Sequence, residues 1–250
     1  MTLFVGLRLD GRRVNELRSL SAELGVSEGF EGSASFAFGN TKVLATVQGP
    51  REVSSANDSS AELGSIVVKI HAASFSSSGG ERASSGANRR PPQDRRMQEW
   101  SRFVEEMLSS GDCVMLEAFP RSQVDVFVEV LNADGGVLPA IINAVCLALL
   151  DAGIPMKEYL LACEAVHLQA QAILDPNRLE RNATGPTVTA AFLPRSNRIA
   201  FMLCENRLGC DTLVTINRLL QQGTAKIFDH VDNAVVRPHL LSLLESKFAK

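Results

Sequence analysis

A glycine turn in the middle of the chain leads into an apolar helix and could bind an anion. Ala133-Asp134-Gly135-Gly136 has the composition of a turn, and the run from Leu138 to Leu150 is apolar on nearly all sides. The first turn of a helix presents backbone N–H groups and the positive end of the helix dipole, which suits a phosphate group. The alternative is that the turn only connects a strand to a buried helix.

A group of arginines ahead of an amphipathic helix is the second candidate for phosphate chemistry. Its members lie close together in the chain: Arg89, Arg90, Arg95 and Arg96. A guanidinium is a planar fork that binds phosphate oxygens in pairs, so the group predicts contact with a nucleic-acid backbone. The alternative is a solvated basic loop whose arginines pair with Glu99, Glu105 and Glu106 on the helix.

The charge of the whole chain does not by itself indicate a nucleic-acid-binding protein. The net charge is −3, so any RNA contact must come from a local basic patch. The chain has one Trp and one Tyr, which argues against a free-standing RNA-binding module built on aromatic stacking.

The cysteines and histidines do not form a metal-binding pattern. The cysteines contain no C-x-x-C pair, and no histidine is spaced to complete a site with them. The cysteines are Cys113, Cys146, Cys163, Cys204 and Cys210. Most lie in apolar patterns, which predicts buried free thiols in a reducing compartment and no metal or other cofactor.

The hydropathy pattern indicates a globular protein without a membrane anchor. The N-terminal MTLFVGLRLDGRR has too short an apolar stretch for a signal peptide, and the run from Leu138 to Leu150 is too short to cross a bilayer. Hydrophobic residues make up 45% of the 250 residues and charged residues 21%, with no linker and no internal repeat. We predict one domain over 1–250.

Strands grouped ahead of helices predict the α+β class. The apolar patterns indicate strands over 33–38, 41–48, 66–70, 113–119, 124–131, 160–169, 187–193 and 198–203. Gly39-Asn40 suits a tight hairpin between the first two strands. A helix is predicted from Met97 to Leu108, and another is expected to begin at a cap formed by Asp211 and to break or restart at Pro238.

Several blocks of the sequence resemble the RNase PH family, and within it the eukaryotic RNA exosome. The resemblance is to the ring subunit whose archaeal relative carries the phosphorolytic active site. The blocks are LDGRR from Leu9, NELR from Asn15, GNTK from Gly39, GPRE from Gly49, PRSQVDVFVEVL from Pro120, ADGG from Ala133 and LALLDAGIP from Leu147. The resemblance implies an RNase PH-like α+β fold in one compact unit.

The family's catalytic pattern is degraded in this chain. Active members are expected to hold inorganic phosphate with a Gly-Ser-Arg triplet at the helix N-terminus, where this chain reads Gly135-Gly136-Val137. They carry an aspartate shortly before a proline-containing strand, where this chain has Thr184. A threonine is not a general acid near neutral pH. Glu180, the remaining nearby carboxylate, is predicted to be a solvated surface residue rather than a surviving acid.

The family's RNA contacts are retained better than its catalytic groups. Arg95 and Arg96 match an adjacent arginine pair that binds RNA backbone in the family, and Arg82 resembles a loop arginine nearby. Contacts of this kind position a strand without reading its bases.

The resemblance therefore implies a non-catalytic structural subunit of the exosome core ring. Such a subunit would form part of the channel that threads RNA 3′ ends to a 3′→5′ exoribonuclease, in rRNA processing and RNA decay. The implied partners are other RNase PH-like ring subunits, RNA-binding cap subunits, the exoribonuclease and single-stranded RNA, with no membrane. The implied location is nucleus, nucleolus and cytoplasm. The competing hypothesis is an active phosphate-dependent 3′→5′ exoribonuclease.

Overall fold

A buried helix between two β-sheets forms the centre of the computed structural model. The structure describes residue 8 and residues 10–52, 64–73, 75–76, 92–168, 171–183 and 185–248. The central helix, α2, spans Val137–Asp151, and every residue from Val137 to Leu149 is buried. It contacts strands of both sheets, which explains why its sequence is apolar on all sides rather than along one stripe.

Within the described residues, the first sheet has five strands in the order β1-β2-β3-β5-β4. The strands are β1 (Leu20–Leu24), β2 (Gly32–Phe38), β3 (Thr41–Glu52), β4 (Ser65–Ala72) and β5 (Ser122–Asn132). Neighbouring strands are antiparallel except β4 and β5, which are parallel. The predicted Gly39-Asn40 hairpin is confirmed, because β2 pairs with β3 and Gly39 has φ +53°.

In the part of the chain that the structure describes, the second sheet has four antiparallel strands in the order β7-β6-β8-β9. They are β6 (Leu161–Leu168), β7 (Gln171–Leu174), β8 (Thr187–Leu193) and β9 (Arg198–Glu205). The other helices are α1 (Pro92–Ser109), α3 (Arg178–Arg181), α4 (Cys210–His230) and α5 (Arg237–Phe248). A π-helical segment, Val231–Val236, joins α4 to α5, so the helix restarts one residue before Pro238. Among the described residues, no helix combines the length and hydropathy needed to cross a bilayer.

Two sequence predictions about local structure are wrong, and two strands were missed. Residues 113–119 do not form a strand: Val114 makes an isolated bridge to Met156, and Leu116–Ala118 is a 3₁₀ helix. Gly209, not Asp211, is the N-cap of α4. The two strands β1 and β7 were not predicted.

The prediction of buried free thiols is confirmed for three cysteines and wrong for two. Cys113, Cys146 and Cys163 are buried, and burial raises the pKa of Cys146 to about 12. These thiols are therefore unreactive at neutral pH. Cys204 and Cys210 are exposed, because β9 is an edge strand and Cys210 begins α4 on its solvent side.

The close approach of β2 to the end of α2 requires a glycine. A Cβ on Gly32 would lie 2.4 Å from the carbonyl oxygen of Ala148 and 2.4 Å from the backbone nitrogen of Ala152. Both atoms are backbone, so neither can move without shifting the helix.

We expect Gly32→Ala to lower the free energy of unfolding by about 3 kcal/mol, because the added methyl group must push α2 away from the first sheet. The measurement is chemical denaturation followed by circular dichroism. Ser35→Ala, on the other face of the same strand, is the matched control and should change stability little. Equal stability of the two variants would show that α2 is not packed this tightly against β2.

Candidate functional site

The glycine turn between β5 and α2 has the backbone of an anion-binding turn but not the side chains. Gly135 and Gly136 have φ of +79° and +62°, in the left-handed region that favours glycine. Gly136 is the N-cap of α2 and makes no side-chain capping hydrogen bond. The first helical turn consists of Val137, Leu138, Pro139 and Ala140, all buried and without a polar side chain. The predicted phosphate position therefore offers only backbone groups and the helix dipole.

Arg18 and Asp175 clamp this turn from outside. The Arg18 guanidinium donates to the carbonyl oxygen of Asp134 at 2.6 Å and to that of Gly135 at 3.1 Å. Its backbone N–H and its Nε donate to Asp175 Oδ2 at 2.8 and 3.0 Å. Burial acts to lower the pKa of Arg18, but the hydrogen bonds and charge of Asp175 outweigh it, so its pKa lies above the usual value. Thr41 adds a hydrogen bond from its Oγ1 to the Gly135 carbonyl at 2.7 Å.

Glu180 is buried, and the prediction that it is a solvated surface carboxylate is wrong. Only 5% of it is exposed, and the Nε of Arg8 donates to Glu180 Oε1 at 2.8 Å. A second nitrogen of Arg8 forms an ion pair with Oε2. Glu180 also closes a capping box with Asn177 at the start of α3, where each side chain accepts from the other's backbone N–H. The carboxylate is thus fully used in holding structure together.

Arg8 also contacts the strand that precedes α3. Its guanidinium also donates to the carbonyl oxygens of Leu174 at 2.7 Å and Asp175 at 2.9 Å. Arg8 thereby anchors the N-terminal segment to the end of β7 and to α3. Thr184, the predicted degenerate acid position, lies outside the described residues.

A chain of ion pairs runs from the glycine turn to the start of α1. Glu164 lies on β6, next to the turn, and its Oε1 is 3.0 Å from Arg181 Nε. Arg181 also reaches Glu205 at 3.4 Å, and Glu205 pairs with Arg96 at 3.1 Å. Glu164 and Arg181 were not among the site residues predicted from the sequence. The sequence did offer one indication of this ion pair: Glu164 lies within an apolar strand pattern. A buried carboxylate requires a cation as its partner.

Arg95 and Arg96 lie in the first half of α1, and both are exposed. The side chain of Arg96 is 51% exposed, and its guanidinium carbon lies 5.3 Å from the centre of the Trp100 ring. Glu105, one of the glutamates considered as a partner, instead accepts a hydrogen bond from the backbone N–H of Val68 at 2.8 Å. Arg82, Arg89 and Arg90 lie outside the described residues.

α1 is attached along the open edge of the first sheet. Besides the bond from Val68 to Glu105, the backbone N–H of Ile70 donates to Ser101 Oγ at 3.3 Å. These bonds satisfy N–H groups of the edge strand β4. The helix that carries Arg95 and Arg96 is therefore fixed in direction relative to the sheet.

Comparison with known proteins identifies the family. The model of the family RNase_PH, described as "3' exoribonuclease family, domain 1", matches residues 16–155. The chain therefore belongs to the RNase PH family of 3′ exoribonucleases.

The relatives within the family are exosome components. The chain is 38% identical over 227 residues to the exosome complex component RRP41 homolog of Arabidopsis thaliana, covering 90% of each chain. It is 37% identical over 236 residues to exosome complex component RRP41 of Homo sapiens, covering 94% of this chain and 92% of that one.

Solved structures confirm the RNase PH-like α+β fold. Rice (Oryza sativa) Rrp46 superposes with a TM-score of 0.78 at 25% identity, covering 91% of this chain and 99% of that chain. A chain of the Archaeoglobus fulgidus exosome with RNA bound to the active site gives a TM-score of 0.74 at 21% identity, covering 89% and 92%. At that identity the second likeness shows the fold alone.

We expect Arg8→Ala and Glu180→Ala each to cost about 3–5 kcal/mol of stability, because each leaves a buried charge without its partner. The double variant should cost clearly less than the sum of the two single variants. Denaturation of the four proteins in a double-mutant cycle measures this coupling. Additive losses would mean that the two side chains do not interact. Arg13→Ala, at an exposed arginine of the same segment, is the control.

Proposed function

We propose that this protein is a non-catalytic structural subunit of an RNA exosome core ring. The observation that carries the proposal is the apolar first turn of α2, at the position where the family binds phosphate. A subunit that keeps the fold and the turn but lacks the side chains can build a ring without performing phosphorolysis. The names of its relatives, RRP41 and Rrp46 of exosomes, support the ring assignment.

Phosphate binding at the turn is weakened by the absence of two side-chain hydrogen-bond donors. A serine hydroxyl and an arginine guanidinium would contribute hydrogen bonds of roughly 1.5–3 kcal/mol each to a bound anion. Their loss weakens binding by about two to four powers of ten. The carboxylate that could have served as an acid, Glu180, is bonded to Arg8 and to the N-cap of α3. An active phosphate-dependent exoribonuclease is therefore the weaker hypothesis.

The proposed contact with RNA is made by Arg95 and Arg96. Both side chains are exposed in the first half of α1, where the positive end of the helix dipole adds to their charge. The stack of Arg96 on Trp100 and its ion pair with Glu205 preorganise the guanidinium without burying it. We propose that this pair lines the channel and guides single-stranded RNA by its backbone.

The remaining parts of the proposal concern assembly and place in the cell. The partners would be other RNase PH-like ring subunits, RNA-binding cap subunits and a separate catalytic 3′→5′ exoribonuclease. The complex would act in rRNA processing and RNA decay in nucleus, nucleolus and cytoplasm. The ring partners are supported by the likeness to exosome components, the RRP41 homolog of Arabidopsis thaliana and Rrp46 of rice.

The experiment that tests inactivity uses the chain assembled with its ring neighbours. We expect no release of nucleoside diphosphates from single-stranded RNA at any phosphate concentration, because neither the phosphate clamp nor a free acid is present. Thin-layer or ion-exchange analysis of the products measures the release. Release that rises with phosphate above the level of a phosphate-free reaction would establish the competing function.

We expect Arg95→Gln combined with Arg96→Gln to weaken RNA binding by the assembled ring and to flatten its salt dependence. Two lost phosphate contacts should reduce the slope of log K against log salt by about 1.4, at roughly 0.7 per contact. Decay of RNAs long enough to thread the channel should slow, while assembly is unchanged because exposed charges contribute little to folding.

Arg102→Gln is the matched control, an exposed arginine farther along the same helix. If the double variant and the control show the same salt slope, Arg95 and Arg96 do not contact RNA. Failure of the double variant to assemble would assign the two arginines a structural role.

A further inference from the structure

Glu164 carries a carboxylate that is almost completely buried. It lies on β6 in the second sheet, within a run of buried residues, and is 2% exposed. Its Oε1 has no aligned hydrogen-bond donor in the described part of the chain, although Arg181 Nε is only 3.0 Å away. A buried carboxylate costs several kcal/mol unless something favours its charge. Its position therefore calls for an explanation.

The carboxylate of Glu164 lies beside the N-cap of α2. Its Oε2 lies 3.7 Å from the point where a Cβ on Gly136 would be. Gly136 is the N-cap and contributes no side chain, and the first turn of the 15-residue helix contains no acidic residue. A nitrogen of Arg18 is 3.0 Å from the same point, so the space beside the N-cap holds this guanidinium together with the Glu164 carboxylate, which comes from another strand.

Arg181 is the cation that forms an ion pair with this carboxylate. Burial raises the pKa of Glu164 above its usual value, and Glu205 and Asp175 act in the same direction, whereas the charges of Arg181 and Arg18 offset this rise only in part. Asp175, whose Oδ1 is 3.6 Å from the same Cβ point, is separately balanced by Arg18. Arg181 and the helix end together therefore form a cationic surrounding for one further anion, and Glu164 is that anion.

We propose that Glu164, held by Arg181, is an internal anion that occupies the N-terminal end of α2 and excludes inorganic phosphate or a phosphate monoester from it. The turn is then inactive for a second reason, in addition to the missing side chains. Removing the carboxylate should convert the same place into a phosphate site made of Arg181 and the backbone N–H groups of the helix.

The test is a titration of the full chain, purified with its partners where it needs them, with inorganic phosphate at constant ionic strength. Isothermal calorimetry or phosphorus NMR reads the binding. We expect Glu164→Ala to bind phosphate at least about tenfold more tightly than the wild type. Adding Arg181→Gln to this variant should remove the gain, because the remaining helix end lacks the guanidinium.

Glu164→Ser keeps a hydroxyl group in the buried position and repeats the test if the alanine variant does not fold. If neither variant folds, the thermal unfolding midpoint of the wild type is measured in phosphate and in chloride at equal ionic strength. Equal midpoints support a site that Glu164 already occupies. A higher midpoint in phosphate contradicts the proposal. The proposal is also overturned if folded Glu164→Ala binds phosphate no better than the wild type.

The inference and the proposed function fail separately. A wild-type chain that binds phosphate as well as Glu164→Ala but releases no nucleoside diphosphates would overturn only the internal anion. Phosphorolysis by the wild type would overturn the proposed function, whatever the titration of the variants shows.

Discussion

The arrangement of the site depends on the ion pair between Arg18 and Asp175. Arg18 lies near the N-terminus, and Asp175 lies 157 residues later, where β7 ends with a positive φ. Through the same guanidinium, Arg18 holds the carbonyl oxygens of the turn that starts α2. One side chain thus joins the N-terminal segment, the first sheet and the second sheet at a single point.

The other charges of the site are arranged around this pair. Arg8 binds Glu180, and Arg181 binds Glu164 and Glu205. The buried carboxylates of Glu180 and Glu164 and the partly exposed one of Glu205 thus each have a cation from a different segment. Buried ion pairs of this kind contribute less to stability than to fixing one arrangement, since desolvation offsets their attraction. The turn at which the family is proposed to bind phosphate is surrounded here by the protein's own ion pairs.

The parts of the fold that could be predicted from sequence are those specified by local pattern. The run that forms α2 is apolar throughout, and Gly39-Asn40 specifies the β2–β3 hairpin. β1 and β7 could not be predicted, because both are short edge strands whose pairing depends on a partner. Residues 113–119 have an apolar pattern but only an isolated bridge to Met156, so a strand pattern without a partner strand became a 3₁₀ helix.

The candidate site also has features that could be predicted from local sequence and features that could not. The glycine turn and the missing polar side chains of α2 are visible in the sequence because they lie in consecutive residues. The burial of Glu180 is not, because its partner Arg8 is 172 residues away. Likewise, nothing local to Arg181 indicates that Glu164 and Glu205 meet it from β6 and β9. Long-range pairing of charges requires the three-dimensional fold.

The attachment of α1 to the edge of the first sheet has a mechanical consequence. If a processive nuclease draws RNA past Arg95 and Arg96, the tension acts on one end of α1 rather than on a free loop. Ser101 and Glu105 are bonded to β4, which is itself bonded along its length to β5, and β5 is bonded on its other side to β3. A force on the arginines is therefore shared by α1 and by the strands that β4 is bonded to. The helix can then resist a steady pull without unwinding from its N-terminal end.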